Sequence, residues 1–528
     1  MKTVINNVCI PFWYICRMRK YPIGKQDFKS IIEDGFMYVD KTKQIHKLID
    51  TGNYYFLSRP RRFGKSLLLS TINEIFSGRK ELFKGLWIEE NWNWEKTNPV
   101  IYLKMSQIDY QTLGLYAALA KELDLIAANF GLVLLELEMK DKFRELIRKA
   151  SANGKVVILI DEYDKPIIDY LDNISQAEEN RDTFKLFYSV LKDADEYIRL
   201  LLITGVSRFS KISIFSDLNN LEDISLGKNF NDLIGITQSE LEENFDAELI
   251  HLTEDMNMDK RAILQEVKKW YNGYSWGGEE TLYNPFSVLS LMKQKQFRNF
   301  WFATGSPSFL IKQICKKEEY QFDNIYLNEN SLGNFDIANI SSAPLLFQTG
   351  YLTIKEYDHS TRSYRLGYPN QEVEDSLLDN LLSAYRGVFP NDSAAVTGEL
   401  LKAFLVNDIP KAIDGLNAII ATIPYDHGRA DTESIFHIIT HLTFKKIGVD
   451  VESEVHSAKG RCDVLIKTSK YIYVIELKLD TPAFEAIQQI INKRYFQPYA
   501  ADKRKKIALG ISFSSKERMV TDYIAKDL

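Results

Sequence analysis

The sequence contains only four cysteines among its 528 residues, and no two of them form a Cys-x-x-Cys pair. This scarcity argues against a disulfide framework and against a zinc ribbon, and it favours a reducing compartment. No apolar run approaches the length of about 18 residues that a membrane-spanning helix needs. We therefore expect a cytoplasmic protein without a membrane partner.

The chain also lacks a strong charge of either sign, since 66 Lys and Arg stand against 72 Asp and Glu. A net charge of −6 excludes a polycation that binds nucleic acid through overall charge alone. The balance is uneven, because residues 431–528 carry 16 basic and 13 acidic side chains, whereas the preceding residues carry 50 and 59. This difference indicates that the C-terminal part has a different partner.

Hydrophobic residues make up 45% of the chain and charged residues 26%, which is ordinary for a globular protein. Short apolar runs at residues 53–58, 100–105, 156–160 and 200–204 predict buried strands with helices between them. Strands separated by helices indicate a parallel sheet with right-handed crossovers and helices on both faces. The N-terminal part is therefore predicted to have an α/β fold.

A phosphate-binding loop is predicted at residues 59–66, Arg-Pro-Arg-Arg-Phe-Gly-Lys-Ser, between a strand and a helix. Backbone N–H groups and the helix dipole would face the phosphates there, and Gly64 permits their close approach. Lys65 would bridge the β- and γ-phosphates and Ser66 would bind Mg²⁺. Arg59 stands where the first glycine of the P-loop pattern belongs. Gly-Lys-Ser alone also occurs at ordinary solvated helix starts, so a second element is needed.

That second element is the apolar strand at 156–160, which ends in Asp161 and Glu162. In a Walker B arrangement, Asp161 orients Mg²⁺ and Glu162 polarises the attacking water. A strand can also simply end in polar residues. The two elements in this order nevertheless favour an ATP site.

Other polar residues near these motifs have two interpretations each. Thr204 ends the neighbouring predicted strand and could sense the γ-phosphate. Arg208 is either an arginine finger or a surface arginine. Arg61 and Arg62 either neutralise phosphate or face solvent.

A second group of residues lies near the C-terminus. Asp463 begins a predicted strand, and Glu476 and Lys478 lie on the next one, where residues i and i+2 share a face. Two carboxylates can bind a hard divalent cation, and this metal together with Lys478 would activate water and stabilise the developing phosphorane charge. The other interpretation is a surface ion cluster.

The elements around this group are predicted in the order α-β-β-β-α-β over residues 433–511, with a last helix at 515–526. This order is typical of restriction-endonuclease-like folds. Glu433 and Gln489 occupy positions where such nucleases keep accessory polar residues. Their alternative interpretations are a helix cap and a solvated glutamine.

Two further patterns are weaker. His437 and His441 have the spacing of a zinc protease, but Ile438 stands where its glutamate belongs, so ordinary helix histidines are favoured. The basic run at 503–506 could contact phosphates, although a solvated charge run before a strand is the favoured interpretation.

Five motifs together resemble the AAA-ATPase-like family of bacterial proteins that carry a C-terminal PD-(D/E)XK nuclease domain. They are Tyr-Pro-Ile-Gly at 21–24, Tyr-Val-Asp-Lys at 38–41, Ser-Arg-Pro-Arg-Arg-Phe-Gly-Lys-Ser at 58–66, Asp-Glu-Tyr-Asp-Lys-Pro at 161–166 and Thr-Gly-Val-Ser at 204–207. The resemblance covers nearly all of the chain after about residue 20. It implies an additional-strand P-loop ATPase core that uses ATP and Mg²⁺.

We predict four regions: an N-terminal extension at 1–20, the ATPase domain at 21–236, a mainly helical connector at 237–390 and the nuclease-like domain at 391–528. The connector would form a lid and could include a winged-helix-like element. The apolar run before Met18 is short for a signal peptide. Met18 is therefore interpreted as a plausible true start.

The favoured function is an enzyme in which ATP-driven conformational change controls Mg²⁺-dependent cleavage of nucleic acid, expected to be DNA. The alternative is a nucleotide-dependent switch or scaffold whose nuclease fold binds nucleic acid or a partner without cutting. The intact set of Asp463, Glu476 and Lys478 favours the enzyme. A homo-oligomer is compatible with either function.

Overall fold

The computed structural model describes residues 4–5, 8–9, 19–208, 214–215, 218–277, 280–302, 308–333, 341–387, 394–423, 433–447, 450–457 and 460–528. The predicted start at Met18 lies outside these residues. No helix within the described residues is both long enough and apolar enough to cross a membrane.

The strands of the described residues pair within separate sheets. They are β1 Val4–Ile5, β2 Val8–Cys9, β3 Tyr54–Ser58, β4 Val100–Lys104, β5 Val156–Asp161, β6 Ile198–Gly205, β7 Glu222–Asp223, β8 Ile325–Asn328, β9 Thr353–Asp358, β10 Ser363–Gly367, β11 Asp450–Ser457, β12 Gly460–Lys467, β13 Tyr471–Leu479, β14 Lys505–Ser514 and β15 Met519–Asp527.

The helices connect and cover these strands. They are α1 Phe28–Glu33, α2 Thr42–Thr51, α3 Lys65–Phe76, α4 Tyr110–Leu113, α5 Leu115–Asn129, α6 Met139–Ala150, α7 Lys165–Ile168, α8 Ile174–Tyr188, α9 Gln238–Asn244, α10 Asp246–Met256, α11 Lys260–Tyr271, α12 Pro285–Gln294, α13 Ser308–Lys316, α14 Glu329–Gly333, α15 Ser342–Thr349, α16 Gln371–Arg386, α17 Ala394–Val406, α18 Ile409–Ile420, α19 Glu433–Lys446 and α20 Ala483–Lys493.

The chain forms two compact units, one of residues 1–305 with 322–373 and one of residues 306–321 with 374–528. The first unit contains a parallel sheet in the order β4-β5-β6-β3-β7. Every residue of β5 is buried, as expected for a β-branched strand covered on both faces. Because β6 lies between β3 and β5, the loops after these three strands meet at one edge of the sheet.

The sheet confirms the predicted α/β fold and the additional strand. The sequence pattern at 182–197 predicts a helix, but the observed helix is displaced, because α8 spans Ile174–Tyr188 and a 3-10 turn, Ser189–Asp193, follows it. The sequence Thr-Gln-Ser-Glu at 237–240 predicts a capping box. It is present, since the Thr237 side chain accepts a hydrogen bond from the N–H of Glu240 and the Glu240 carboxylate accepts one from the N–H of Thr237. The helix start after Thr237 is therefore predicted correctly, because its capping chemistry is local.

The helices after Thr237 pack around an apolar core that includes Leu241, Leu249, Val267 and Leu291. Residues 347–354 and 363–366 predict a small hairpin from the sequence, and it is present as β9 and β10, with β8 added on the other side of β10. Residues 347–349, however, belong to α15 rather than to a strand. The predicted domain boundaries and the winged-helix-like element stay predictions.

The second unit contains a mixed sheet in the order β11-β12-β13-β14-β15. Its elements confirm the predicted order α-β-β-β-α-β, and α20 connects the parallel strands β13 and β14. The predicted last helix at 515–526 is wrong, because β15 occupies residues 519–527 and pairs antiparallel with β14. Pairing with the open side of β14 buries Val520 and partly buries Ile524 against the core of this unit.

Helix α20 lies directly on this sheet. A Cβ atom at Gly510 would lie 2.6 Å from the carbonyl oxygen of Ala483, so glycine permits the close approach. Ile487 and Ile490 then pack against Leu465 and Val474. This packing brings the polar side chain of Gln489 to the same face of the sheet.

Candidate functional site

The predicted phosphate-binding loop connects the end of β3 to the start of α3. Gly64 has a φ of 99°, a left-handed conformation that glycine adopts without strain. The ammonium of Lys65 donates hydrogen bonds to the carbonyl oxygens of Arg59 at 2.8 Å and Pro60 at 2.9 Å. Burial lowers the pKa of Lys65, and Asp161 acts in the opposite direction. The loop therefore holds the ammonium at its centre, where a phosphate oxygen could replace the two carbonyls.

Arg59, which replaces the first glycine of the pattern, is only 1% exposed. Its Nη1 donates to the carbonyl oxygens of Ser58 at 2.9 Å and Ser225 at 2.7 Å. Its guanidinium carbon lies 4.1 Å from the centre of the Trp276 ring, a favourable cation–π arrangement. Burial lowers the pKa of Arg59 to about 9. The arginine therefore anchors the first residue of the loop, which explains how the loop forms without a glycine there.

A cavity of about 360 Å³ opens beside the loop. Six of the predicted site residues line it: Arg61, Arg62, Gly64, Lys65, Ser66 and Glu162. Lys25 and Lys165 add further ammonium groups to its wall. A cavity of this size and charge suits a polyanion, since such pockets commonly measure about 300–1,000 Å³.

The two predicted Walker B acids occupy different positions. Asp161 is buried, and its Oδ1 accepts a hydrogen bond from the Thr204 hydroxyl at 2.9 Å. Glu162 faces the cavity with a φ of 54°, a strained conformation for a residue with a side chain. Burial raises the pKa of Glu162, the nearby Asp161 raises it further, and a hydrogen bond from Ser106 acts against both. Thr204 therefore contacts a carboxylate directly, and it does not line the cavity.

A second, apolar cavity of about 100 Å³ also has Gly64 in its wall. Tyr38, Val39, Phe63 and Ile236 contribute to its wall. It shares several lining residues with the charged cavity: Pro22, Gly64, Leu67, Pro285 and Leu289. A charged cavity and an apolar one thus adjoin across a single loop.

In the second unit, the three predicted nuclease residues lie close together at β12 and β13. Leu465 stands directly opposite Val474 in the β12–β13 pair, and Glu476, two residues beyond Val474, bonds to Gln489 of α20 and so lies on the face that α20 covers. Asp463 Oδ2 accepts the backbone N–H of Leu477 at 2.8 Å. The ammonium of Lys478 lies 3.0 Å from Glu476 Oε1. The geometry therefore brings the two carboxylates and the lysine together.

The electrostatics of this group suit a cation. Burial and the neighbouring carboxylate of Asp463 raise the pKa of Glu476 to about 7, although Lys478 lowers it. Glu476 Oε2 is buried and has no hydrogen-bond partner among the described residues. No cluster of three or more His, Cys, Asp or Glu side chains is found in the described part of the chain. A cation here would thus have two protein carboxylates and open positions for water or substrate.

The two predicted accessory residues differ in what the structure describes. Gln489 Nε2 donates to Glu476 Oε1 and, at 3.2 Å, to the hydroxyl of Tyr495. The glutamine is therefore part of the group rather than simply solvated. Glu433 is the first residue of α19, but its side chain lies outside the described residues.

Comparison with known proteins gives one family match in each of the two units. Residues 22–215 match a model described as predicted AAA-ATPase, and residues 431–523 match one described as PD-(D/E)XK nuclease superfamily. An Azotobacter chroococcum mcd 1 protein named "Uncharacterized protein in vnfD 5'region" is 37% identical over 526 residues, or 97% of this chain and 99% of that protein. The chain belongs to the AAA-ATPase-like family with a C-terminal PD-(D/E)XK nuclease domain.

Arg208 of this AAA-ATPase-like chain is engaged in an ion pair. Its Nε and Nη2 donate to Asp223 at 3.2 and 2.6 Å, and its backbone N–H donates to Gln348 at 3.0 Å. Both charged side chains are largely buried. An arginine finger would have to break this pair, so that role stays a prediction and the surface interpretation is wrong.

The histidines and the basic run have structural partners. The hydroxyl of Tyr320 lies 3.1 Å from His437 Nδ1, and burial lowers the pKa of His441 to about 3. Arg504 contacts Asp502 at 2.6 Å. The run also lies at the start of β14, seven residues along the paired strands from Lys478, or about 23 Å. It is therefore not adjacent to the group around Glu476.

Three residues that the sequence analysis left without a role connect the loops after β5 and β6. Asp164 accepts hydrogen bonds from Ser207, and the hydroxyl of Tyr163 donates to the Ser207 carbonyl at 3.0 Å. The sequence does contain a signal for these three residues, because the motifs at 161–166 and 204–207 place polar residues directly after buried strands. The sequence could not show that the two motifs contact each other.

Gly205 leaves the space that this contact needs, and its replacement tests the packing. A Cβ atom there would lie 2.5 Å from the Tyr163 ring. We expect Gly205→Ala to lower the free energy of unfolding by about 1–3 kcal/mol, measured by urea denaturation. Gly227→Ala is the control, because its nearest neighbour would be 3.7 Å away and its φ is −84°. Equal stability of the Gly205 variant and wild type would contradict the described packing.

Proposed function

We propose that this protein hydrolyses ATP in its first unit and cleaves phosphodiester bonds of nucleic acid in its second, with the nucleotide state controlling cleavage. The observation that supports the nuclease assignment is the proximity of Asp463, Glu476 and Lys478, since Asp463 bonds to the N–H of Leu477 and Lys478 bonds to Glu476. The cavity lined by both Lys65 and Glu162 carries the ATPase assignment.

In the ATP site, Lys65 would contact the phosphates and give up its two carbonyl partners. Arg61 and Arg62 line the same cavity and would neutralise phosphate charge. Ser66 and Asp161 would hold Mg²⁺, which neutralises the charge that develops on the phosphoryl oxygens. Both supply the oxygen ligands that this ion prefers.

The apolar cavity is proposed to hold the adenine base. It adjoins the charged cavity across Gly64, and its wall includes the aromatic side chains of Tyr38 and Phe63. An uncharged, planar base fits an apolar cavity better than a phosphate does, because its burial removes apolar surface from water. One nucleotide could therefore occupy both cavities.

In the nuclease site, Asp463 and Glu476 would hold a divalent cation, which activates water and stabilises negative charge on the phosphate. Gln489 and Lys478 both bond to Glu476 Oε1, so Oε2 stays available to the cation. The ammonium of Lys478 would face the scissile phosphate and stabilise the charge of its transition state.

The direct test incubates the purified full-length protein with panels of single- and double-stranded DNA and RNA, with and without ATP and Mg²⁺. We expect Mg²⁺-dependent cleavage whose rate changes with ATP, and DNA is the expected substrate. Binding of ATP without cleavage of any substrate would contradict the nuclease assignment. It would instead favour a nucleotide-dependent switch or scaffold.

The ATP site has its own prediction. Lys65→Ala removes a charge-assisted phosphate contact worth about 1.5–3 kcal/mol, so the affinity for ATP should fall about 10- to 150-fold by calorimetry. Lys29→Ala, whose side chain is exposed on α1, serves as the control and should bind ATP normally. Unchanged affinity in a folded Lys65 variant would exclude this cavity as the ATP site.

A further inference from the structure

Asp164 is a buried carboxylate at the wall of the ATP cavity, where it is 1% exposed. Its Oδ2 accepts three hydrogen bonds, from the backbone N–H of Val206 at 3.0 Å and from the N–H and hydroxyl of Ser207, both at 2.6 Å. All three donors belong to the segment that follows β6. A single oxygen atom therefore ties the loop after β5 to the loop after β6.

Further contacts between the same two segments surround this one. The N–H of Tyr163 donates to the Thr204 carbonyl at 3.0 Å, and its hydroxyl donates to the Ser207 carbonyl at 3.0 Å. The Thr204 hydroxyl bonds to Asp161 at 2.9 Å. Residues 161, 163 and 164 are thus all held by β6 or by the loop that follows it.

Glu162 is the residue between these fixed points. Its φ is 54°, and this left-handed conformation raises the free energy of any residue that has a side chain. Such a conformation persists only where the surrounding structure enforces it. The contacts of its neighbours on both sides supply that enforcement, because neither Asp161 nor Tyr163 can shift without breaking bonds to β6 or to the loop after it. The conformation in turn directs the Glu162 side chain into the cavity.

We propose that Asp164 is a positioning residue for ATP hydrolysis, which holds the Glu162 backbone so that its carboxylate faces the attacking water. This inference rests on the proposed ATPase function. Asp164 itself need not touch the nucleotide, since its three partners lie in the protein. Asp164 adds three hydrogen bonds to the contacts of Asp161 and Tyr163 that hold the strained backbone of Glu162.

The test uses the full-length protein and separates binding from turnover. Asp164→Ala should lower kcat for ATP about 10- to 100-fold, because small displacements of a catalytic group have effects of this size. The affinity for ATP, measured by calorimetry, should stay within threefold of wild type. Asp164→Asn should recover much of the loss, because its amide oxygen can still accept two backbone N–H bonds.

A double-mutant cycle with Glu162→Gln gives the decisive measurement. If Asp164 acts only through Glu162, adding Asp164→Ala to Glu162→Gln should produce no further loss of kcat. Multiplied losses, or a folded Asp164→Ala protein with wild-type kcat, would overturn the inference. If Asp164→Ala does not fold, Ser207→Ala and Tyr163→Phe each remove one bond and should lower kcat several-fold, and an unchanged kcat in both would overturn it.

Failure of the underlying function would look different. A wild-type protein that binds ATP without hydrolysing it would contradict the proposed ATPase and, with it, this role of Asp164. A different pattern would contradict the positioning role alone: the wild type hydrolyses ATP, Glu162→Gln keeps full activity, and Asp164→Ala loses activity. Activity that falls in both single variants but no further in the double variant supports both proposals.

Discussion

Replacing Lys478 by alanine should lower the rate of nucleic acid cleavage by about 10³-fold or more, while ATP hydrolysis continues at the wild-type rate. The ammonium lies 3.0 Å from Glu476 Oε1 and would stabilise charge on the phosphate. Asp463→Ala should have a similar effect through loss of the cation. The double variant should be no worse than either single variant, because residues that act as a unit give non-additive losses.

Two measurements separate this catalytic role from a structural one. Lys470→Ala is the matched control, since Lys470 is exposed and precedes β13, whereas Lys478 lies near the end of that strand. It should cleave normally. Thermal unfolding of each variant shows whether the fold is intact. Wild-type cleavage by a folded Lys478→Ala protein would exclude this group as the nuclease site.

The agreement between sequence and fold is best where one local pattern decides the structure. The apolar run of β5 needs a strand buried on both faces, which the inner strands of a parallel sheet covered by helices provide. Residues 515–526 show the opposite case. Their pattern allows a helix, and only the unpaired side of β14, a long-range feature, converts them into β15.

The site residues show the same contrast between positions that a local pattern predicts and positions that depend on distant contacts. Lys65 and Glu476 belong to motifs whose spacing alone predicts where their side chains lie. The inward position of Arg59 depends on Trp276 and Ser225, which are more than 160 residues away. The partner of Thr204 depends on the order of strands in the sheet. Contacts between distant segments of this kind have no signal in a single sequence.

Glu162→Gln should lower the turnover of ATP by about 10²- to 10⁴-fold, the range expected for loss of a general base, and ATP should remain bound. Burial raises the pKa of Glu162, which makes its carboxylate a stronger base. The amide of glutamine has the same shape but cannot accept the proton from water. Phosphate release measures the turnover, and chromatography of the bound nucleotide shows whether ATP is trapped.

Glu145→Gln tests whether loss of any buried carboxylate in this unit has the same effect. Glu145 is buried on α6 and accepts the N–H groups of Leu135 and Glu136 at 2.8 and 3.0 Å, away from the ATP cavity. Its variant should hydrolyse ATP normally. Wild-type turnover in Glu162→Gln would exclude a catalytic role for Glu162. Because Arg59 also replaces the first P-loop glycine, that result would indicate a slow or purely regulatory ATPase whose bound nucleotide acts as a signal.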